Sequence, residues 1–398
     1  MSKVLNENCK YLISLIRSVL HGTEAPAAPD GIDYETLYAI AEAQGLCCML
    51  YQALYKRGMD GIPEETAKKL RKTHMLYVQH SIMQEMEFYK ISAALDNAGV
   101  DYMPLKGWYT RELYPDAVLR YMGDVDMLIR TEDSKSAYDA ITPLGYTCEE
   151  FMHYDDDKYR KGGLTFELHR LLDSEGLKDT SLYKEPFKLA DNTSGRCWRM
   201  HEADAYVYTV VHAMKHFMFS GTGLRTLIDI YLYNDKGNLE GERGYISTCA
   251  EMLGVTKFMH SMEELAEKTF GSDLPFNGDE LDEDSALLLL FMLKSGSGGK
   301  VSTLDLSLLD KSGKGGKGGS RATYIFRLIF PTLKSMQKRD PVLKKAPVLL
   351  PVMYVHRWIQ LLFVDRSHIK ESLDRYSAID DAAVEELRHI HDIAGIEQ

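Results

Sequence analysis

Along the first hundred residues the apolar positions recur every three or four residues, the period of helices that bury one face. Leu12, Leu15, Ile16 and Val19 form one such stripe, and Leu37, Ile40, Ala41 and Leu46 another. A long helix is predicted after Pro63, where Glu64 and Glu65 suit the positive end of the helix dipole. The stripe Met75, Val78, Ile82, Met86, Tyr89 and Ala93 predicts its buried face, and Gly99 its stop. The period then changes. Val100 to Leu105 reads as a short strand ending at Lys106 and Gly107, followed by a short helix from Trp108 to Tyr114 that Pro115 closes. Val125 to Ile129 reads as a second strand, and Glu132 to Ile141 as a helix capped by Thr131. Two further strands are predicted near Met152 to Tyr159 and Leu164 to Leu168, joined through Lys161, Gly162 and Gly163.

From Ala203 the helical period returns, with Tyr206, Val207, Val210, Val211, Met214 and Phe217 as a buried stripe broken by Ser220 to Gly223. Helices are expected over Tyr245 to Phe270, Glu283 to Leu293, Thr323 to Met336 and Pro351 to Val364, with glycine-rich interruptions at Ser295 to Lys300 and Ser312 to Ser320. The pattern predicts an α+β chain: a small mixed sheet with flanking helices, embedded in a largely helical protein. The expected organisation is an N-terminal helical region at 1–98, a core at 99–198 and a C-terminal helical region at 199–398.

The net charge of −12 weighs against a long polynucleotide or an anionic membrane as partner. The six cysteines form no C-x-x-C pair, and no apolar stretch approaches the ~20 residues of a spanning helix. A cytoplasmic, reduced protein without membrane association is expected.

Candidate chemistry centres on Arg120 to Arg130. Side chains alternate along a strand, so Asp124 and Asp126 share one face while Val125 lies on the other. Two carboxylates about 4 Å apart repel by about 4 kcal/mol at an effective dielectric near 20, a penalty that a divalent cation removes. Oxygen ligands of this kind suit Mg²⁺ or Mn²⁺ rather than zinc. Downstream, Thr165, Glu167 and His169 alternate with the apolar Phe166 and Leu168; a strand here beside Val125 to Ile129 brings Glu167 to the aspartates. Upstream, the Lys106–Gly107 turn offers backbone N–H groups to phosphate, with Lys106 and Arg120 adding positive charge.

Lys106 and Gly107, then Arg120, then Asp124, Val125 and Asp126, and finally Phe166 to His169 resemble the uncharacterised nucleotidyltransferase family of bacteria, within the polymerase-beta-type superfamily. His212 to His216, Gly223 to Arg225 and Asp229 also resemble that family, over most of the chain. The resemblance implies metal-dependent transfer of a nucleoside monophosphate from a nucleoside triphosphate (NTP) to an acceptor, with release of pyrophosphate. The acceptor is a small molecule, a protein or a tRNA. Asp124, Asp126 and Glu167 then hold Mg²⁺ or Mn²⁺ and carry catalysis, Glu167 also taking the acceptor proton, and Lys106, Gly107 and Arg120 hold phosphate. The sequence departs from the superfamily at Trp108, where a second Gly or a Ser is common. A catalytically silent nucleotide-binding or interaction module, and the toxin of a toxin–antitoxin pair, are the alternatives.

His212 and His216 lie one helical turn apart without an obvious third ligand, so a polar cleft face is expected rather than zinc. Lys215 and Arg225 are candidates to reach phosphate; for Arg225 the plainer expectation is a pair with Asp229 at helical spacing. The glycine-rich run to Ser320 lacks the Gly-Lys-Ser/Thr of a P-loop and reads as a mobile loop. Asp155, Asp156 and Asp157 read as a solvated run on a hairpin edge.

Overall fold

The computed structural model describes residues 5–149, 151–152, 156–172, 176–219, 221–296, 333, 336, 343, 346–354 and 381–396. Four helices lead: α1 (Glu7–His21), α2 (Tyr34–Ala43), α3 (Cys47–Lys56) and α4 (Glu64–Ala98). Gly99 ends α4 at φ 72°, the left-handed conformation that glycine adopts without a Cβ penalty.

Strand β1 (Tyr102–Pro104) follows, then a short helix α5 (Gly107–Thr110), strand β2 (Val125–Ile129) and helix α6 (Ser134–Ile141). Residues Thr131–Asp133 wind as a 3₁₀ turn, so α6 begins later than Thr131 capping predicts. Strands β3 (Thr147–Glu149), β4 (Asp156–Lys161), β5 (Leu164–His169), β6 (Ala190–Ser194) and β7 (Cys197–Met200) complete one seven-stranded sheet in the order β3-β4-β5-β2-β1-β7-β6. The fold class is α+β. Strands β3, β6 and β7 went unpredicted. β6 has one buried residue and β3 none, so neither carries the alternation that marks a strand.

The second half supplies α7 (Glu202–Phe219), α8 (Leu224–Lys236), α9 (Arg243–Leu253), α10 (Thr256–Phe270), α11 (Glu283–Ser295) and α12 (Asp381–Ile393). The helical stretch expected over Tyr245 to Phe270 is divided in two, because Gly254 closes α9 at φ 77°. The glycine-rich 312–320 and most of the helices expected at 323–336 and 351–364 lie outside the described residues. Among the described residues no helix is long and apolar enough to cross a membrane.

The sheet divides two apolar clusters, and β2 serves both. Val125, Met127 and Ile129 pack with Phe88, Ile91 and Leu95 of α4 and with Ala137 and Ile141 of α6. Leu128 points the other way, into the larger cluster shared with α7, α8 and α10. Asp126 is on the side of Leu128, so the carboxylate face of β2 opens toward α7 and α8.

Two expectations are corrected. The α4 stripe is not a buried face: Met75, Ile82, Met86 and Tyr89 are all more than half exposed, while Leu70, Gln84, Phe88, Ile91 and Leu95 are buried. In a helix this long, packed over part of its length, apolar spacing fixes the period but not which side meets the core. The aspartate run is not a solvated edge either. Asp155 lies outside the described residues, but β4 is interior, and Asp157 is fully buried, its carboxylate accepting from Arg170 Nη1 at 2.6 Å.

Candidate active site

Strands β2 and β5 run parallel, with Asp126 beside Glu167 and Leu128 beside His169. On β5, alternation keeps Glu167 and His169 on one face, and β4 adds Lys158 opposite Glu167. A cleft of about 620 Å³ lies between this face and α7–α8; its walls include Lys106, Asp124, Asp126, Lys158, Glu167, His169, His212, Lys215, His216 and Arg225. Strand pairing thus brings the three predicted carboxylates to one cleft.

The tightest convergence is Asp126, Glu167 and His169, each offering one ligand atom within 4.8 Å of the others. His169 Nε2 lies 2.7 Å from Asp126 Oδ1 and 3.9 Å from Glu167 Oε2. The outer carboxylate oxygens face cations: Lys106 Nζ is 3.3 Å from Asp126 Oδ2, and Lys158 Nζ donates to Glu167 Oε1 at 2.7 Å. Two carboxylates and an imidazole turned toward one point fit a divalent ion in donor chemistry and spacing.

The aspartates titrate in opposite directions. Burial opposes ionisation of Asp126, but the Lys106 ammonium and the hydrogen bond from His169 outweigh it and hold the carboxyl well below the usual range. Asp124 directly precedes β2; it is exposed to solvent but lines the cleft. Desolvation there, then the charges of Asp126 and Glu167, push its carboxyl up.

The Lys106 turn is tied to this pair through the backbone. Leu105 N–H donates to the Asp126 carbonyl at 2.9 Å, and Trp108 N–H to the Leu105 carbonyl at 3.2 Å. Between them Lys106 takes φ 43° and ψ −117°, a type II′ corner that favours glycine. Trp108 stacks on Phe88 of α4 with ring centroids 3.8 Å apart, and Arg111 lies over its indole. The ring at this position thus fastens α5 to α4.

Arg120 is held by Asp229 of α8 through two hydrogen bonds, 2.8 Å from Nε and 2.6 Å from Nη2. Tyr114 donates to the same carboxylate. A Cβ on Gly107 would lie 2.1 Å from Arg120 Nη1, so glycine is what lets the turn pass the guanidinium. Asp229 is therefore engaged by Arg120 rather than by Arg225, its helical neighbour. Arg225 Nη1 instead donates to the Tyr121 carbonyl at 2.7 Å, and burial followed by the nearby Arg120 charge lowers its pKa. Fully buried Gln84 of α4 donates to the Met122 carbonyl at 3.1 Å, and Tyr77 stacks on Tyr121. The segment leading into Asp124 is thereby clamped between α4 and α8.

His212 and His216 pack ring to ring, T-shaped, with centroids 4.3 Å apart. They lie outside the ligand cluster found among the described residues. Sequence reasoning placed His169 on the Glu167 face but gave it no part, missed Lys158, and paired Asp229 with Arg225 instead of Arg120. The alternation held the signal for His169. The other two depend on strand register and on a contact across 109 positions.

A family model described as an uncharacterised nucleotidyltransferase matches residues 30–271. That span holds the sheet, α7, α8 and every residue of the cleft named above. No curated protein and no solved structure matches the chain significantly.

Proposed function

The chain belongs to the uncharacterised nucleotidyltransferase family, and from that premise we propose that its cleft moves a nucleoside monophosphate from an NTP to a hydroxyl-bearing acceptor. The observation that carries this reading is the register of β2 and β5, which sets Asp126 beside Glu167 on the cleft face. In the reaction the acceptor oxygen bonds to the α-phosphorus as the bond to the β-phosphate breaks, and pyrophosphate leaves.

Asp124, Asp126 and Glu167 are the residues that would hold divalent cations. When bound, Mg²⁺ or Mn²⁺ supplies positive charge to the triphosphate and acidifies the acceptor hydroxyl. Lys106, Lys215 and Arg225 are assigned to the phosphates. The raised cost of charge on Arg225 supports this for one of them, since an anion in the cleft relieves that cost. Gly107 lets the turn approach the phosphates closely, and Arg120, fixed by Asp229, holds the turn's position. Asp124, the most exposed of the three carboxylates, is the one open to an acceptor and is assigned its proton. Glu167, assigned that part on sequence grounds, is engaged by Lys158. The acceptor is a small molecule, a protein or a tRNA.

Titration calorimetry with each NTP and Mg²⁺ or Mn²⁺ tests the reading. Binding of at least one NTP is expected in the wild type, lost in Asp126→Asn. Absence of binding for every NTP with either metal would overturn it.

A further inference from the structure

Resting on that transferase reading, we propose that His169 is a direct metal ligand and makes the cation position between Asp126 and Glu167 select a first-row transition ion, Mn²⁺ over Mg²⁺. Two of the four carboxylate oxygens of Asp126 and Glu167 are already engaged by lysines. Asp126 turns Oδ2 to Lys106, and Glu167 turns Oε1 to Lys158. The remaining oxygens, Asp126 Oδ1 and Glu167 Oε2, are the ones nearest His169 Nε2, at 2.7 and 3.9 Å. Adjacent donors each about 2.1 Å from one octahedral cation lie about 3 Å apart, so these separations bracket that of a shared ion. The three side chains are 14–15% exposed, so the cluster is largely shielded from competing water.

The fold fixes this arrangement. His169 follows Glu167 by two residues on β5 and shares its face, and β5 pairs with β2 through its whole ligand-bearing stretch. With its proton on Nδ1, a neutral His169 presents the Nε2 lone pair to the ion, which replaces the hydrogen now shared with Asp126. A nitrogen donor alters metal choice. Mg²⁺ takes oxygen ligands and sheds its waters reluctantly, whereas imidazole binds first-row transition ions well.

Pulsed electron paramagnetic resonance on the full chain with Mn²⁺ alone tests the proposal. A bound imidazole gives ¹⁴N coupling to the Mn²⁺ electron spin; coupling is expected in the wild type and in His212→Gln, and its loss in His169→Gln. By calorimetry Mn²⁺ should bind the wild type at least about tenfold more tightly than Mg²⁺, and His169→Gln should narrow that ratio. Mn²⁺ bound without nitrogen coupling, coupling that survives in His169→Gln, or no binding of Mn²⁺ alone would overturn the proposal. A wild-type spectrum without nitrogen coupling overturns the proposal even if the variant misfolds, and coupling that persists in His212→Gln excludes that cleft histidine. NTP binding with Mg²⁺, measured in parallel, separates the outcomes: if it persists only the His169 assignment falls, and if it is absent the transferase reading falls as well.

Discussion

At Lys106 the backbone adopts φ 43° and ψ −117°, a strain of about 1–3 kcal/mol for a residue with a Cβ. In this conformation the ammonium lies 3.3 Å from Asp126 Oδ2. Lys106→Gly relieves it and Lys106→Ala does not, so the glycine variant should be more stable by about 1 kcal/mol in urea unfolding. Both should lose NTP affinity by about 1.5–3 kcal/mol in calorimetry. Asp124 supplies a second prediction at this scale. Its folded pKa is raised, so its contribution to stability is present below the unfolded carboxylate value near 3.9 and lost as pH rises through the folded value. Without divalent cations, Asp124→Asn should therefore melt higher than wild type at pH 7, with the difference closing below about pH 4. Asp126→Asn should bring no such gain, because Lys106 and His169 already stabilise that charge. The repulsion that two aspartates on one strand imply thus falls on one of them. Alternation alone could not say which, since the deciding partners come from the turn after β1 and from β5.

Strand β2 was legible to the residue, Val125 to Ile129, because one face is unbroken Val125, Met127 and Ile129 while Asp126 marks the other. Val125 is buried in the cluster under α4 and α6. Val125→Asn should therefore cost about 2–4 kcal/mol by denaturant unfolding, whereas Asp126→Asn should fold and fail to bind NTP. The reverse result would mean that the faces of β2 are assigned backwards. Helix α4 was legible in its existence and end, but not in its orientation. What orients it is polar as well as apolar: Glu87 accepts from Lys161 at 2.7 Å, Lys90 at 2.6 Å and Tyr146 at 3.0 Å, tying the helix to the sheet. Burial opposes that charge, but the two lysines and the tyrosine hold the Glu87 carboxyl down at about 2. With a folded pKa below the unfolded value near 4.3, this stabilisation is full above that value and lost as pH falls toward 2. Glu87→Gln should lower the melting temperature at pH 7 and flatten its decline between about pH 5 and 2. An unchanged acid profile would show that the clamp contributes nothing.

For the whole molecule, the fold class and the central strands could be read from periodicity, and the candidate carboxylates from their spacing. The closure of the cleft could not. It depends on Arg120 of the loop before β2 meeting Asp229 of α8, and on Gln84 of α4 and Arg225 of α8 gripping residues 121–122. These are contacts between segments about 40 to 110 positions apart, which no local pattern encodes. In the proposed reading the triphosphate of this acidic chain, at a net −12, would meet Lys106, Lys158, Lys215 and Arg225, which line one cleft together with its carboxylates. The most direct measurement is a paired labelling experiment, in which each NTP carries its label on either the α- or the γ-phosphate and is incubated with the protein, Mg²⁺ or Mn²⁺, and whole-cell extract. Nucleotidyl transfer predicts that the α-label joins an acceptor and the γ-label leaves as pyrophosphate, both lost in Asp126→Asn. A γ-label on the acceptor, or no transfer of either label from any NTP, would contradict it.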